Sequence, residues 1–430
     1  MRKSVFVKAS ALVFSSAFIK ILGFVFKIYL SKMSGAEGCG MYQLVLSVYV
    51  FFAGITSFGI SQTLSKLISY NEKYSEKILR TALKLTGAVS FLVFLIVYFN
   101  AEYISLYFLK DSRLIPSIKL IAFCYPAIAV FSSVSGYFNG LAKVKYPANG
   151  QITEQITRIA FVFLFAKKAL AEGLEKGIFV MSAGIVLGEY VSMLYIFISY
   201  KLYSHKRSDS YTQKNFLKNI IKISIPVAAG GYISSFLHTM ESVLLPNSLA
   251  KFGMTVSESV STLGLIKGMA APIVFLPAVT ISAISTLTLP KISKEDSKGH
   301  VKTIKSVTTK TLIVSFFVGL FSAVFFALFG EKLTFILYGN TDSAIYVKLL
   351  GIILPFAFFN MTAVSVLNGM GYYVKTVIAV TVSGLIKILF IGVFVAKIGI
   401  KGYFGGYIIS EITAFLMLFK LIFNAIYSKN

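Results

Sequence analysis

The sequence predicts an all-α integral membrane fold: about twelve transmembrane helices arranged as two parallel six-helix lobes. Three observations point there. The 430 residues are 56% hydrophobic and only 14% charged, with a mean hydropathy of +0.79, whereas a soluble domain lies near about 25% charged. The apolar residues come in runs of about 20, the length at which a helix crosses a hydrocarbon core of about 30 Å, and the period-two alternation of a membrane β-barrel is absent. Finally, the chain repeats itself at an offset of 229 residues.

Taken in order, the expected spans are 9–30, 40–65, 80–99, 116–141, 148–168, 177–200, 217–246, 260–288, 306–329, 345–369, 376–396 and 403–425. Arg2, Lys3 and Lys8 resemble the basic start of a signal peptide. Lys20 and Lys27 interrupt the apolar stretch, however, and no small-residue cleavage site follows, so the first span is expected to be retained. The polar run SHKRSDSYTQKN separates the halves. It predicts a first lobe over 1–205, a cytoplasmic linker over 206–215 and a second lobe over 216–430.

The net charge of +25 would suggest nucleic acid in a soluble protein. Here most of the 42 Lys and Arg lie between apolar runs, about twice as many on the side of the N-terminus as on the other. By the positive-inside rule both termini are cytoplasmic, and nucleic-acid binding is excluded as a reading. Cys39 and Cys124 are too far apart in the sequence to suggest a disulfide framework, and the three histidines have no ligand spacing, so no metal or cofactor is expected. No nucleophile elbow or glycine-rich phosphate loop is present, and the loops are too short to build a catalytic centre. The chain reads as a carrier rather than an enzyme.

The repeat aligns Glu102 with Glu331, Lys119 with Lys348, Pro126 with Pro355, Asn139 with Asn368, Gly140 with Gly369 and Arg158 with Lys387, without a gap. Each half holds an even number of spans, so the repeats are parallel and related by an axis along the membrane normal. That design places a substrate between two rocking lobes.

Charges inside spans cost about 2.5–3.5 kcal/mol each on insertion scales and therefore need a reason. Lys20 and Lys27 lie two turns apart on one face of the first span. Lys20 is deep enough to face a cavity, whereas Lys27 either faces a cavity or snorkels to the interface. Lys267, in GLIKGMAAPIVFLP, carries the same two readings. Glu154 and Arg158 stand four apart, the spacing of a self-neutralising pair. Glu241, with His238 one turn earlier, is either a proton or cation site or the counter-ion of a cavity lysine. Lys387 repeats Arg158 but lacks a glutamate in its own span, while Glu189 and Glu411 read as helix-packing carboxylates. Pro226 followed by Gly230 and Gly231 predicts a bend in the seventh span, working or static.

The stretches FIKILGFVFKIYLSKMSGAEGCGMYQ, FGISQTLSKLI, ITEQITRIAFVFLF, ISIPVAAGGYISSFLHTMESVLLP and GLIKGMAAPIVFLPAVTISAISTLTLPKIS run through nearly the whole chain in order. Together they resemble the stage V sporulation protein B family of the multidrug/oligosaccharidyl-lipid/polysaccharide exporter superfamily. The resemblance implies the fold of that superfamily, residence in the bacterial cytoplasmic membrane, and outward flipping of a polyprenyl-diphosphate-linked glycan such as a peptidoglycan precursor. It also implies that Lys20, Lys27 and Lys267 line the cavity and hold the diphosphate, with Glu241 where the family usually has Asp. Lysine in place of the commoner arginine forgoes a bidentate grip on phosphate. Proton or sodium coupling at Glu241 stays open. The alternative is a multidrug or organic-cation antiporter of the same fold, which the positive charge of the first and eighth spans disfavours.

Overall fold

The computed structural model describes residues 2–57, 59–204 and 216–427, with side chains at 19, 21–57, 59–203, 216–226 and 228–426. The expected linker at 206–215 and the side chain of Lys20 lie outside the described residues. Every described element is helical; no strand occurs among these residues.

Among the described residues, eight helices are long and apolar enough to cross a membrane, or ten if each of two bent pairs is one span. The difference from about twelve has two physical sources. The expected first and second spans run together in the 50-residue stretch Ile21–Tyr70. The expected loop at 31–39 is helical except at Gly35, whose φ of 66° and ψ of −170° turn the chain at a single residue, a backbone state open to glycine. The expected fifth span is the helix Lys145–Ala171, which carries Glu154, Arg158, Lys167 and Lys168 and so falls short on composition.

The helix Val301–Tyr338 shows why these elements belong in lipid. Its buried positions include Thr308, Ser315, Gly319, Ser322 and Gly330, while Phe317, Phe321 and Leu328 are 59%, 74% and 70% exposed. Small and hydroxyl residues face the neighbouring helices and large apolar ones face out, the inverse of a soluble helix. Gly319 sits so close to its neighbour that an added Cβ would lie 2.6 Å from the Leu354 carbonyl oxygen and the Pro355 Cα.

By contact the chain forms two compact units. One comprises Met1–Phe26 and Met41–Thr239, the other Lys27–Gly40 and Met240–Asn430. Each contains one copy of the repeat, and equivalent residues make equivalent contacts. In the first unit the hydroxyls of Thr86 and Ser133 meet at 3.0 Å; in the second, Ser315 and Thr362, both 229 residues on, meet at 2.6 Å. A Cβ on Gly140 would touch Ile68 and the Ser65 carbonyl, and one on Gly369 would touch Ile292 and the Leu289 carbonyl. Those partners are offset by 224, so five residues separate the register of the second and eighth spans from that of the fourth and tenth.

Both bends fall at proline. The seventh span turns by 47° between Leu217–Pro226 and Ala228–Phe252, where Pro226 had predicted it; the eighth turns by 59° between Val256–Val274 and Ala278–Ser297, beside Pro277. Gly231 follows the first bend, and a Cβ there would meet no atom within 4 Å. Gly231→Ala is therefore expected to raise thermal stability, by about 0.5–1 kcal/mol from helix propensity alone. A thermal melt measures this, and a simultaneous fall in transport would show that the bend works during the cycle.

Candidate functional site

Each unit buries a charged cluster, and that of the second unit gathers four of the residues singled out in the sequence: Glu241, Lys267, Lys387 and Glu411. The helix Leu217–Phe252 contributes Glu241, 4% exposed at its side chain. Its Oε2 accepts a hydrogen bond from Lys387 Nζ at 2.8 Å, and its Oε1 accepts one from the Tyr403 hydroxyl at 2.8 Å. Lys267 Nζ stands 3.6 Å from the same Oε2 and donates to Ser242 Oγ at 2.9 Å. Lys387 also lies over the Tyr407 ring, 4.4 Å from its centroid, a cation–π contact. One turn beyond Tyr407, Glu411 accepts from Asn360 Nδ2 at 2.8 Å.

Two ammonium groups thus converge on one carboxylate. Lys387 and Lys267 are 12% and 17% exposed, so neither reaches to an aqueous interface. Both ammonium groups lie within 4 Å of the Glu241 carboxylate. The two lysines are held unequally. Lys387 is within hydrogen-bonding distance of Glu241 and capped by an aromatic ring. Lys267 is a weaker partner of the carboxylate, on a π-helical turn, Gly264–Ala270, a local widening frequently found at functional sites.

Close backbone packing fixes that turn. A Cβ on Gly264 would fall 1.9 Å from the Ala36 carbonyl oxygen, one on Gly40 would fall 1.9 Å from the Val260 carbonyl oxygen, and one on Gly268 would fall 2.8 Å from Cys39 Cβ. The segment after Gly35 is thus packed backbone to backbone on the helix that bears Lys267. Lys27, half-buried, belongs to the same unit through the segment Lys27–Gly40.

The first unit holds the other cluster. Arg158 NH1 lies 3.7 Å from Glu154 Oε1, the i,i+4 pair expected from the sequence, and the guanidinium also donates to Gln155. Glu189 accepts a hydrogen bond from the Tyr49 hydroxyl. The helix carrying Glu189 approaches this pair closely: a Cβ on Gly188 would lie 2.9 Å from the Glu154 carbonyl oxygen. Two carboxylates here accompany one guanidinium, whereas in the second unit two ammonium groups share Glu241, with Glu411 near Lys387. His238, one turn before Glu241, is exposed.

Sequence reasoning missed Tyr403, Tyr407, Ser242 and Asn360. A signal was available for two of them: Tyr403 and Tyr407 recur with Glu411 every four residues in GYFGGYIISE, one polar stripe on an apolar helix. Tyr49 carried no such signal.

A bundle of apolar helices with charges buried in each repeat has the build of a multi-pass membrane protein, and comparison with known proteins agrees. The family described as "Polysaccharide biosynthesis protein" matches residues 6–294, and the chain belongs to that family. It is 23% identical over 416 residues to stage V sporulation protein B of Bacillus subtilis (strain 168), covering 94% of this chain and 80% of the relative. It is 21% identical over 439 residues to the lipid II flippase MurJ of the same organism, covering 93% and 79%. A solved inward-facing multidrug resistance MATE transporter of the MOP superfamily superposes with a TM-score of 0.78 at 15% identity, over 96% of this chain and 98% of that one. The multi-helix exporter fold expected from the sequence is the observed one.

Proposed function

We propose that this transporter flips an anionic, lipid-linked saccharide, a glycan on polyprenyl diphosphate, from the inner to the outer leaflet of the bacterial cytoplasmic membrane by alternating access. The observation that carries the reading is the cationic excess at Glu241, where Lys267 and Lys387 share one carboxylate. Lys267 is the loosely held member, so an arriving phosphate can replace Glu241 as its partner while Lys387 keeps the carboxylate neutralised. The family resemblance assigns Lys20 and Lys27 of the first span to the same cationic lining. The family and its flippase relative supply the substrate class.

The energetics suit this direction. With the cytoplasm negative, an anionic headgroup moving outward is favoured by about 2.3 kcal/mol per charge per 100 mV if it crosses the full field. The reset of an empty cationic site inward is favoured by the same field. Glu241 need not bind a sodium ion or proton in this cycle, because Lys387 already occupies one of its oxygens and Tyr403 the other. The orientation with both termini in the cytoplasm belongs to the same proposal. It rests on the bias of Lys and Arg toward one side.

Lys267→Ala is expected to lower flipping of a polyprenyl-diphosphate glycan in proteoliposomes at least tenfold, while the purified variant keeps its elution profile and thermal melt. Native mass spectrometry with lipid II should show binding weakened in parallel. Wild-type flipping by Lys267→Ala would sink the assignment. The second reading, export of organic cations, has one observation in its favour: the first unit sets Glu154 and Glu189 against the single Arg158. A carrier of that kind would need those carboxylates rather than Lys267, so Glu189→Gln would abolish transport and Lys267→Ala would not.

A further inference from the structure

The second unit carries a groove that plays no part in the site at Glu241. It has a volume of about 400 Å³, within the range of roughly 300–1,000 Å³ typical of small-molecule pockets. One wall is the helix Val301–Tyr338, through Leu312, Phe316 and Phe317; the other is the helix Ile400–Tyr427, through Phe415, Phe419 and Ile422. Phe359 closes the floor, its ring 4.6 Å from that of Phe415.

One end of this apolar groove is polar. Lys305 and Thr308 line it there. Thr308 is 1% exposed, yet its hydroxyl has no hydrogen-bond partner among the described residues. A buried hydroxyl left unpaired costs about 1–3 kcal/mol, and a ligand oxygen would satisfy it. Lys305 also belongs to the basic run of lysines at 291, 294, 298, 302, 305 and 310, where the helix enters its apolar part. Such juxtamembrane clusters attract anionic lipid headgroups.

Dimensions choose the occupant. From Lys305 to Phe317 is twelve residues, about 18 Å of helix at 1.5 Å per residue, close to half of the roughly 30 Å hydrocarbon core. The groove therefore spans one leaflet, with its cationic end at the headgroup level. That fits a lipid of a single leaflet rather than a polyprenyl tail that must follow its headgroup across.

We infer that this groove is a binding site for one anionic glycerophospholipid. An acyl chain lies between the two helices, an ester or glycerol oxygen accepts from the Thr308 hydroxyl, and the phosphate pairs with Lys305. The inference is independent of which substrate the transporter moves. It assigns Lys305 a lipid-reading role beyond setting topology.

The test uses the full chain in nanodiscs with phosphatidylglycerol carrying a photoreactive group on one acyl chain, and the phosphatidylcholine analogue as the neutral comparison. Crosslinks should map to Phe316, Phe359 and Phe419, with phosphatidylcholine yielding at most one-fifth as much. Lys305→Gln should cut the phosphatidylglycerol yield about fivefold, the effect of one lysine at a membrane surface, and Thr308→Val should lower it further. Lys305 is exposed, so its replacement should leave folding intact. Lys302→Gln removes the same charge from the same helix outside the groove lining and should change the yield less than twofold. Equal labelling by both lipids, or equal losses from Lys302→Gln and Lys305→Gln, would overturn the proposal. So would displacement of the label by polyprenyl phosphate, which would identify the groove as a tail site.

Discussion

Glu241→Ala is expected to be among the most damaging single substitutions in the chain, and to act on stability before transport. The carboxylate is 4% exposed and neutralises Lys387 directly and Lys267 at longer range. Removing it takes from two buried ammonium groups the carboxylate they share and strands the hydroxyl of Tyr403. Breaking a buried pair by deleting one partner costs about 3–5 kcal/mol, a large share of a total stability that is typically about 5–15 kcal/mol. Glu241→Gln should be milder, since the amide oxygen can still accept from Tyr403. Lys387→Ala should also be milder than Glu241→Ala, because Lys267 remains to pair with Glu241. In the double variant Glu241→Ala with Lys387→Ala, only Lys267 is left, and it keeps its bond to Ser242. The double variant should therefore be more stable than the sum of the two single losses requires. Thermal melts of the four proteins in detergent form the cycle that measures this coupling. Strictly additive losses would mean that the carboxylate and Lys387 do not depend on each other, and the ion-pair account of the site would fail.

How much of this was legible beforehand follows the sequence separation of the partners. Glu154 and Arg158 were readable as a pair because four residues on a helix place side chains together. Glu241, Lys387 and Lys267 were each readable as a charge that needed a reason, because intramembrane charge is expensive. Their convergence was not readable: the partners lie 146 and 162 residues apart in the hydrogen bonds Lys387 to Glu241 and Tyr403 to Glu241, and only packing brings them together. The repeat was legible where the offset stayed at 229. It faded in the second and eighth spans, where the offset drops to 224 and apolar sequence offers few landmarks, yet the contacts of Gly140 and Gly369 retain it. Glycine was the least legible residue of all. SGAEGCG read as a loop, whereas Gly35 turns the chain and Gly40 sits in a helix against another backbone.

That last contact supports the second large effect. Gly264→Ala adds one carbon, yet its ideal position is 1.9 Å from the Ala36 carbonyl oxygen and 2.7 Å from the Gly40 amide nitrogen. Both obstacles are backbone, so no side-chain rotation relieves the overlap and the two helices must separate. Overpacking a tight contact typically costs about 1–3 kcal/mol, and the absence of any flexible neighbour places this site at the upper end. Lys267 lies three residues on, nearly one turn along the same π-helical segment, so the separation should also move its ammonium away from Ser242 and Glu241. Gly264→Ala is therefore expected to lower the melting temperature and to reduce transport by as much as Lys267→Ala does, without touching a charged group. Gly40→Ala strikes the same interface from the other helix, 1.9 Å from the Val260 carbonyl oxygen, and should match it. The two together should cost less than their sum, because helices already forced apart by one methyl accommodate the second. Gly392→Ala, where an added Cβ meets no atom within 4 Å, supplies the comparison. If Gly264→Ala melts and transports as Gly392→Ala does, the segment after Gly35 does not seat the eighth span, and the position of Lys267 must be set by Glu241 and Ser242 alone.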